Sequence, residues 1–188
     1  EIFETGVLGM GINTFNISEA TISNNVSADN TGGGILVEDG FGVTVTGNEI
    51  RGNQLDAAGE YWDAGIWLDG CVDVLVEDNN IHDNLGPGIQ VSDADLKYPF
   101  FSCRQNVRGN TLTGNFWALY VVNWGVCPLP EIEGILDYSD NTVSGNAYPG
   151  SNAEDIADTS EGSILCKEFP CGDNTPCTID DFDRSVEH

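Results

Sequence analysis

The chain has 188 residues and a formal net charge of −25, from 31 acidic residues against 6 basic ones. Such a surface repels nucleic acid and anionic membrane, because binding either requires Lys and Arg to displace counterions. No apolar run reaches the length of about 18 residues that a membrane-crossing helix needs, and the charge suits high salt, divalent cations such as calcium, or simple solubility.

The chain opens on Glu1-Ile2-Phe3-Glu4, without the basic start and apolar run of a secretion signal. The first recognisable strand, Gly6-Val7, already belongs to the last third of a repeat, and no capping helix precedes it. Open solenoid ends expose apolar side chains and unpaired strands, so N-terminal turns of a longer parent protein are expected before it. The pattern Asn-x-aliphatic-x-x-Asn then recurs at Asn48–Asn53, Asn79–Asn84, Asn110–Asn115 and Asn141–Asn146, each copy 31 residues after the last. A degenerate copy, Ala20–Asn25, leads them by 28. Val45, Val76, Val107 and Tyr138 keep the 31-residue spacing, with Ile17 leading Val45 by 28. A Gly-aliphatic step follows at Gly34-Ile35, Gly65-Ile66 and Gly88-Ile89, with Ala118-Leu119 as a variant and Gly6-Val7 placed 28 before the first.

Each repeat thus carries three short segments, such as Val74–Val76, Asn80–His82 and Gly88–Val91. None is long enough for a helix, and each alternates with period two, as strands do. Three short strands per turn in a fixed phase coil a chain into a parallel β-helix, all-β and here of about five to six rungs. Ile50, Ile81, Leu112 and Val143 are expected to stack inside as one column, and Ile35, Ile66, Ile89 and Leu119 as another. Asn48, Asn79, Asn110 and Asn141 fall where the chain turns. Asn tolerates left-handed φ, and its amide can bond the same amide one rung away, so a structural ladder is expected there.

Three connections lengthen the rungs: Gln54 to Ala64, Ser92 to Ser102, and Asn123 to Gly134. Long loops on a solenoid usually mark its working face. Residues 1–146 read as the solenoid, 147–184 as a disulfide-pinned cap, with one further strand at Gly162–Leu165 as the alternative there, and 185–188 as a tag remnant. The six cysteines lack paired CxxC spacing, which speaks against zinc and for disulfides in a secreted or cell-surface protein. Cys71 and Cys103 each precede a first strand, about one rung apart. The ~4.8 Å rung spacing lies within the reach of a disulfide, so their pairing is expected first, with Cys103–Cys127 as its competitor.

These repeats resemble the right-handed β-helix repeats of the pectate-lyase-like superfamily, over roughly residues 6 to 146. That group includes pectate and alginate lyases, mannuronan C5-epimerases, tailspikes and surface proteins. The resemblance implies the right-handed fold and a carbohydrate-active protein, although no epimerase-type Asp-Pro-His-Asp motif and no complete lyase signature is present.

Strand parity points Ile66 and Leu68 inward and Trp67 and Asp69 outward. Leu36, Trp67, Gln90 and Tyr120 then share one exterior column, with Trp62 and Trp124 in nearby loops. A row of exposed aromatics is what a sugar ring stacks on, and Asp69, Gln90 and Asn123 supply a polar rim; loops folding over the column are the competing arrangement. Lys97, Arg104 and Arg108 lie close together beside Tyr98. For chemistry on a uronate, Lys97 or His82 is the candidate base, Tyr98 the acid and Arg104 the cation that neutralises the carboxylate. The competing assignment pairs Arg108 with Glu77 and stacks Arg51 in column with His82, both structural. His82 beside Asp83 reads either as an acid/base dyad or as an inert exterior residue. Asp93 and Asp95 with Asp69, or Glu60 with Asp63, could offer calcium the oxygens it needs, and Asp173, Asp180, Asp181 and Asp183 form a looser cluster. A polysaccharide is the partner these features point to. The other reading is a non-catalytic surface or adhesive module.

Overall fold

The computed structural model describes residues 2–3, 9–54, 64–92, 105–122, 136–146 and 165–167. Seventeen strands lie among them: β1 (Ile2–Phe3), β2 (Ile12–Phe15), β3 (Thr21–Ser23), β4 (Val26–Ala28), β5 (Ile35–Glu38), β6 (Thr44–Thr46), β7 (Glu49–Arg51), β8 (Ile66–Asp69), β9 (Leu75–Glu77), β10 (Asn80–His82), β11 (Ile89–Ser92), β12 (Gln105–Arg108), β13 (Thr111–Thr113), β14 (Leu119–Val122), β15 (Leu136–Ser139), β16 (Thr142–Ser144) and β17 (Leu165–Lys167). Every third strand pairs in parallel. Sheet A is β1-β4-β7-β10-β13-β16, sheet B is β2-β5-β8-β11-β14-β17, and sheet C is β3-β6-β9-β12-β15. The chain is a parallel β-helix, and Leu165–Lys167 adds a strand to sheet B beside β14, meeting the expected Gly162–Leu165 only at Leu165.

Inside, single residue types stack in register. Ile35, Ile66, Ile89 and Leu119 form one column, Val45, Val76 and Val107 a second, and Ile50, Ile81 and Leu112 a third. All ten are at most 1% exposed. Stacking like on like fills the layer without voids, and burying each side chain contributes on the order of 2 kcal/mol.

The basic turn is shorter than the spacing of the Asn pattern suggests. Ile12 aligns with Ile35 and Ile66 with Ile89, 23 residues apart, whereas Val45, Val76 and Val107 stay 31 apart. The passage from sheet C to sheet A is constant, five residues from Ile22 to Ser27 and again from Val45 to Ile50. The extra eight or nine residues enter once between β7 and β8 and twice on leaving sheet B, after β11 and after β14. All three insertions therefore border sheet B. This shifts the first rung. Ile22, not Ile17, aligns with Val45; Ile12, not Val7, heads the Ile35 column; and Asn25–Asn30, not Ala20–Asn25, is the first copy of the Asn pattern. In that copy Ser27 takes the aliphatic place facing Ile50, and its hydroxyl donates to the Gly34 carbonyl at 2.9 Å.

Two asparagine ladders run the length of the described rungs. In the first, the Nδ2 of Asn25, Asn48, Asn79 and Asn110 donates to the Oδ1 of the next member, at 2.9 to 3.1 Å, ending on Asn141. The second joins Asn30, Asn53, Asn84, Asn115 and Asn146 at 2.8 to 3.0 Å. Each acceptor oxygen also takes the backbone N–H of the residue below, as in Asn48 to Asn79 at 2.9 Å. After the first rung, where Asn25 bonds the Ser23 carbonyl and Asn30 the Ser27 hydroxyl, the remaining Nδ2 hydrogen goes to a backbone carbonyl of the rung before, as in Asn79 to Val45 at 2.9 Å. The ladder expected at Asn48 is thus present, and a second accompanies it. The left-handed residue of each turn, however, is the one before the ladder Asn. Asn24, Gly47, Asp78, Gly109 and Asp140 form one such column, and Asp29, Gly52, Asp83, Gly114 and Gly145 the other, with φ between 54° and 65°. Gly, Asn and Asp are the residues that tolerate this conformation.

Candidate functional site

The outer face of sheet B carries the expected column in register: Asn13, Leu36, Trp67, Gln90 and Tyr120. A second outer column runs beside it through Phe15, Glu38 and Asp69. The strip changes character along the helix axis. Asn13 and Phe15 are exposed, and Glu38 and Trp67 are half-buried. Gln90 and Tyr120 are 0% and 2% exposed, and Asp69 is 6% exposed. The expectation of an open aromatic row therefore fails at Gln90, Asp69 and Tyr120. One cause is within the described residues: the indole of Trp117 lies flat on the Tyr120 ring, centroids 4.8 Å apart and planes 10° apart. Phe116 meets Trp117 edge-on at 4.5 Å. Trp117 drew no notice in the sequence because it sits in the short turn before β14, outside the period-two pattern. Phe15 does not stand out in the sequence because the 31-residue spacing gives the first rung a register that differs from the observed one.

The remaining candidates divide between the other faces and the undescribed connections. His82 lies on sheet A, away from the Trp67 column, and joins a chain of charges. Its Nδ1 is 2.8 Å from Asp83 Oδ2 and its Nε2 3.9 Å from Glu49 Oε1. Arg51, stacked directly on His82, bonds Glu49 at 3.0 Å and Asp29 at 3.2 Å. Arg108 pairs with Glu77 across one rung at 3.2 Å. Arg51 and Arg108 thus sit in cross-rung ion pairs, which suits a structural role better than a catalytic one. His82 is not brought together with the aromatic strip. Lys97, Tyr98, Arg104, Trp124, Asp93, Asp95 and Cys103 lie outside the described residues. Among the described residues no group of three His, Cys, Asp or Glu side chains is arranged to hold a metal ion.

Cys71 lies in the interior at the end of β8. Its thiol donates to the Val37 carbonyl at 3.0 Å. Burial, partly offset by hydrogen bonds to the Gly40 and Asp69 backbone, pushes its pKa from 9.0 up to about 12. Above it, Gln105 takes an inward position in the layer of Val43 and Val74 and donates to the Cys71 carbonyl at 2.6 Å. The pairing of Cys71 with Cys103 stays an expectation.

Comparison with known proteins places the chain. The family model described as "Right handed beta helix region" matches residues 2–148. The chain belongs to the right-handed β-helix family. No curated protein matches it. Among solved structures it is similar to the mannuronan C-5 epimerase AlgE6 A-module of Azotobacter vinelandii, at 23% identity and a TM-score of 0.54, over 80% of this chain and 41% of that one. The AlgE4 A-module from the same organism is a more distant likeness, at 19% identity and a TM-score of 0.49, over 76% of this chain and 46% of that one. This β-helix spans less than half the length of either, and the likeness is one of fold.

Proposed function

We propose that this β-helix is a secreted, carbohydrate-active protein that binds a polysaccharide along the outer face of sheet B and acts on it by β-elimination or C5 epimerisation. The observation that carries the reading is the coincidence of two features on one sheet. The in-register column Asn13–Leu36–Trp67 sets a half-buried indole and an exposed amide on either side of the buried Leu36, with exposed Phe15 and half-buried Glu38 beside it. All three long insertions enter or leave the same sheet. An indole face offers an apolar platform to the C–H face of a sugar while neighbouring polar groups meet its hydroxyls. A mannuronan C-5 epimerase among the structural likenesses agrees with a uronate polymer as the substrate class.

On this reading Trp67 is the principal stacking platform, Trp124 in the insertion that leaves β14 is a second candidate, and the buried Gln90 and Tyr120 continue the column beneath it. Both Lys97 and Arg104 belong to the insertion that leaves β11. Lys97 is the candidate base at C5, Tyr98 the acid that protonates the leaving oxygen, and Arg104 the cation that withdraws charge from the substrate carboxylate, acidifying the C5 proton. Placement on sheet A removes His82 from this set. A chain of charge −25 repels a polyuronate unless cations intervene, so calcium held by Asp69, Asp93 and Asp95 would bridge acid to acid.

The test is incubation of the full chain with a panel of polyuronates, with calcium and with chelator, followed by ultraviolet absorbance for unsaturated ends and proton NMR for inverted C5 centres. Calcium-dependent turnover that is lost in Lys97→Ala and in Arg104→Ala is the expected result. Binding without either product would establish the non-catalytic module instead, and no binding to any member would overturn the reading.

A further inference from the structure

We infer that Asn16 is an N-linked glycosylation site whose glycan rests on Phe15 and Phe41. The acceptor triplet Asn-x-Ser/Thr occurs twice in the chain, at Asn16-Ile17-Ser18 and at Asn25-Val26-Ser27. The fold treats the two in opposite ways.

Asn25 is the first member of a ladder. Its Nδ2 donates to Asn48 Oδ1 and to the Ser23 carbonyl, both at 3.1 Å, and Ser27 is fully buried with its hydroxyl committed to Gly34. A sugar on that nitrogen removes one of its two hydrogens and has no room between rungs. Asn16 instead sits at the corner between β2 and β3 with φ 50°. Its backbone N–H is held by the Glu38 carbonyl at 2.9 Å, and both Asn16 and Ser18 are exposed.

An independent observation lies at the same corner. Among the described residues three large apolar side chains stand in solvent, and two of them flank this triplet: Phe15 at 62% and Phe41 at 48% exposure. Phe15 directly precedes Asn16. Phe41 lies one rung on, its N–H bonded to the Ile17 carbonyl at 2.9 Å and its backbone bridged to Ser18. Roughly half or more of each ring faces solvent. A glycan anchored between them gives both a partner, because the C–H face of the first sugar covers an aromatic ring. The transfer takes a polyisoprenyl-pyrophosphoryl oligosaccharide as the donor. Nδ2 of Asn16 forms the bond to the anomeric carbon, the anomeric C–O bond to pyrophosphate breaks, the amide loses one proton, and the lipid pyrophosphate leaves. The modification adds bulk and hydration at the edge of the sheet B strip, on its open rung.

The experiment is expression of the full chain behind a cleavable leader in a secretory host that performs N-glycosylation, with a second acceptor triplet on a C-terminal extension as an internal control. Peptides are mapped after cleavage at Glu, so that Asn16 lies in the fragment from Thr5 to Glu19, and the glycan is released enzymatically in heavy-oxygen water to mark its attachment site. Modification of Asn16 but not Asn25 in the folded, secreted chain is expected, with loss in Ser18→Ala and retention in Ser18→Thr. Phe15→Ser with Phe41→Ser should keep the glycan and abolish the drop in melting temperature that its removal causes in the parent chain. A control triplet that is glycosylated while Asn16 is bare, or a folded chain carrying sugar at Asn25, overturns the inference.

Discussion

The corner between sheets C and A and the outer face and insertions of sheet B have opposite characters, although the corner from sheet A into sheet B keeps its own asparagine ladder beside the one insertion there. At the first, five residues separate Val45 from Ile50, Val76 from Ile81 and Val107 from Leu112 without exception, and both the left-handed residue and the ladder Asn recur on every rung. At the second, insertions of eight or nine residues appear on three occasions, and the outward column changes from Asn13 to Leu36, Trp67, Gln90 and Tyr120. Uniformity is the mark of a site that holds rungs together, because any deviation would break a ladder shared with both neighbours. Variety is tolerated where side chains answer only to solvent or to a ligand.

The contrast can be broken at its strongest point. Asn79→Ala removes four hydrogen bonds: two accepted from Asn48 and one donated to each of Val45 and Asn110. Buried donors and acceptors are left behind, so a loss of about 4 kcal/mol is expected in urea unfolding; a loss under ~1 kcal/mol would show that the ladder decorates the fold without supporting it. Next in size is Gly114→Ala. It forces a Cβ into a left-handed backbone and to within 2.5 Å of Asp83 Oδ1, at a cost of about 2 kcal/mol. Adding Asp83→Gly should recover part of that loss, and a strictly additive double variant would show that the two residues do not meet.

On sheet B the order of effects reverses. Trp67→Ala should weaken polysaccharide binding about tenfold, ~1.4 kcal/mol, while lowering the urea midpoint less than Asn79→Ala does. Equal binding by the variant would remove Trp67 from the proposed strip. The interior also gives a pH dependence with a definite sign. Folded Cys71 has its pKa raised from 9.0 to about 12; above pH 9 the unfolded chain loses a proton that the native chain keeps. Its contribution is complete below pH 9 and is lost as pH rises towards 12. Cys71→Ala should flatten that alkaline decline, followed by circular dichroism melting temperature. The smallest effect belongs to Arg108→Ala. Its bond to Glu77 is half-exposed, and the loss should stay below ~1 kcal/mol and vanish at high salt.

What the amino-acid sequence made legible follows the same division. The columns of Ile81, Val76 and Ile89, the ladder at Asn79 and the pairing of Arg108 with Glu77 could all be read from spacing alone, because repetition across rungs averages out local ambiguity. The first rung could not. With 31 residues taken as the unit, the offset of 28 looked like a degenerate repeat, when the true turn is 23 and the insertions come later. The burial of Gln90 and Tyr120 was equally hidden, since period-two parity says which way a side chain leaves the strand and nothing of what then covers it. Trp117 shows the point: its stacking on Tyr120 depends on the turn before β14, where no periodicity operates.

Every amide in the two asparagine columns faces the same way, its oxygen towards the rung before and one N–H towards the rung after. The columns are therefore one-way streets for polarisation: each group, already pulled by its predecessor, becomes a better donor to its successor. A rung added at the C-terminal side meets a surface that specifies its direction as well as its height. A segment offered backwards would set N–H against N–H, and one shifted by one residue would bring no amide to the column, so the winding chain reads its own sequence.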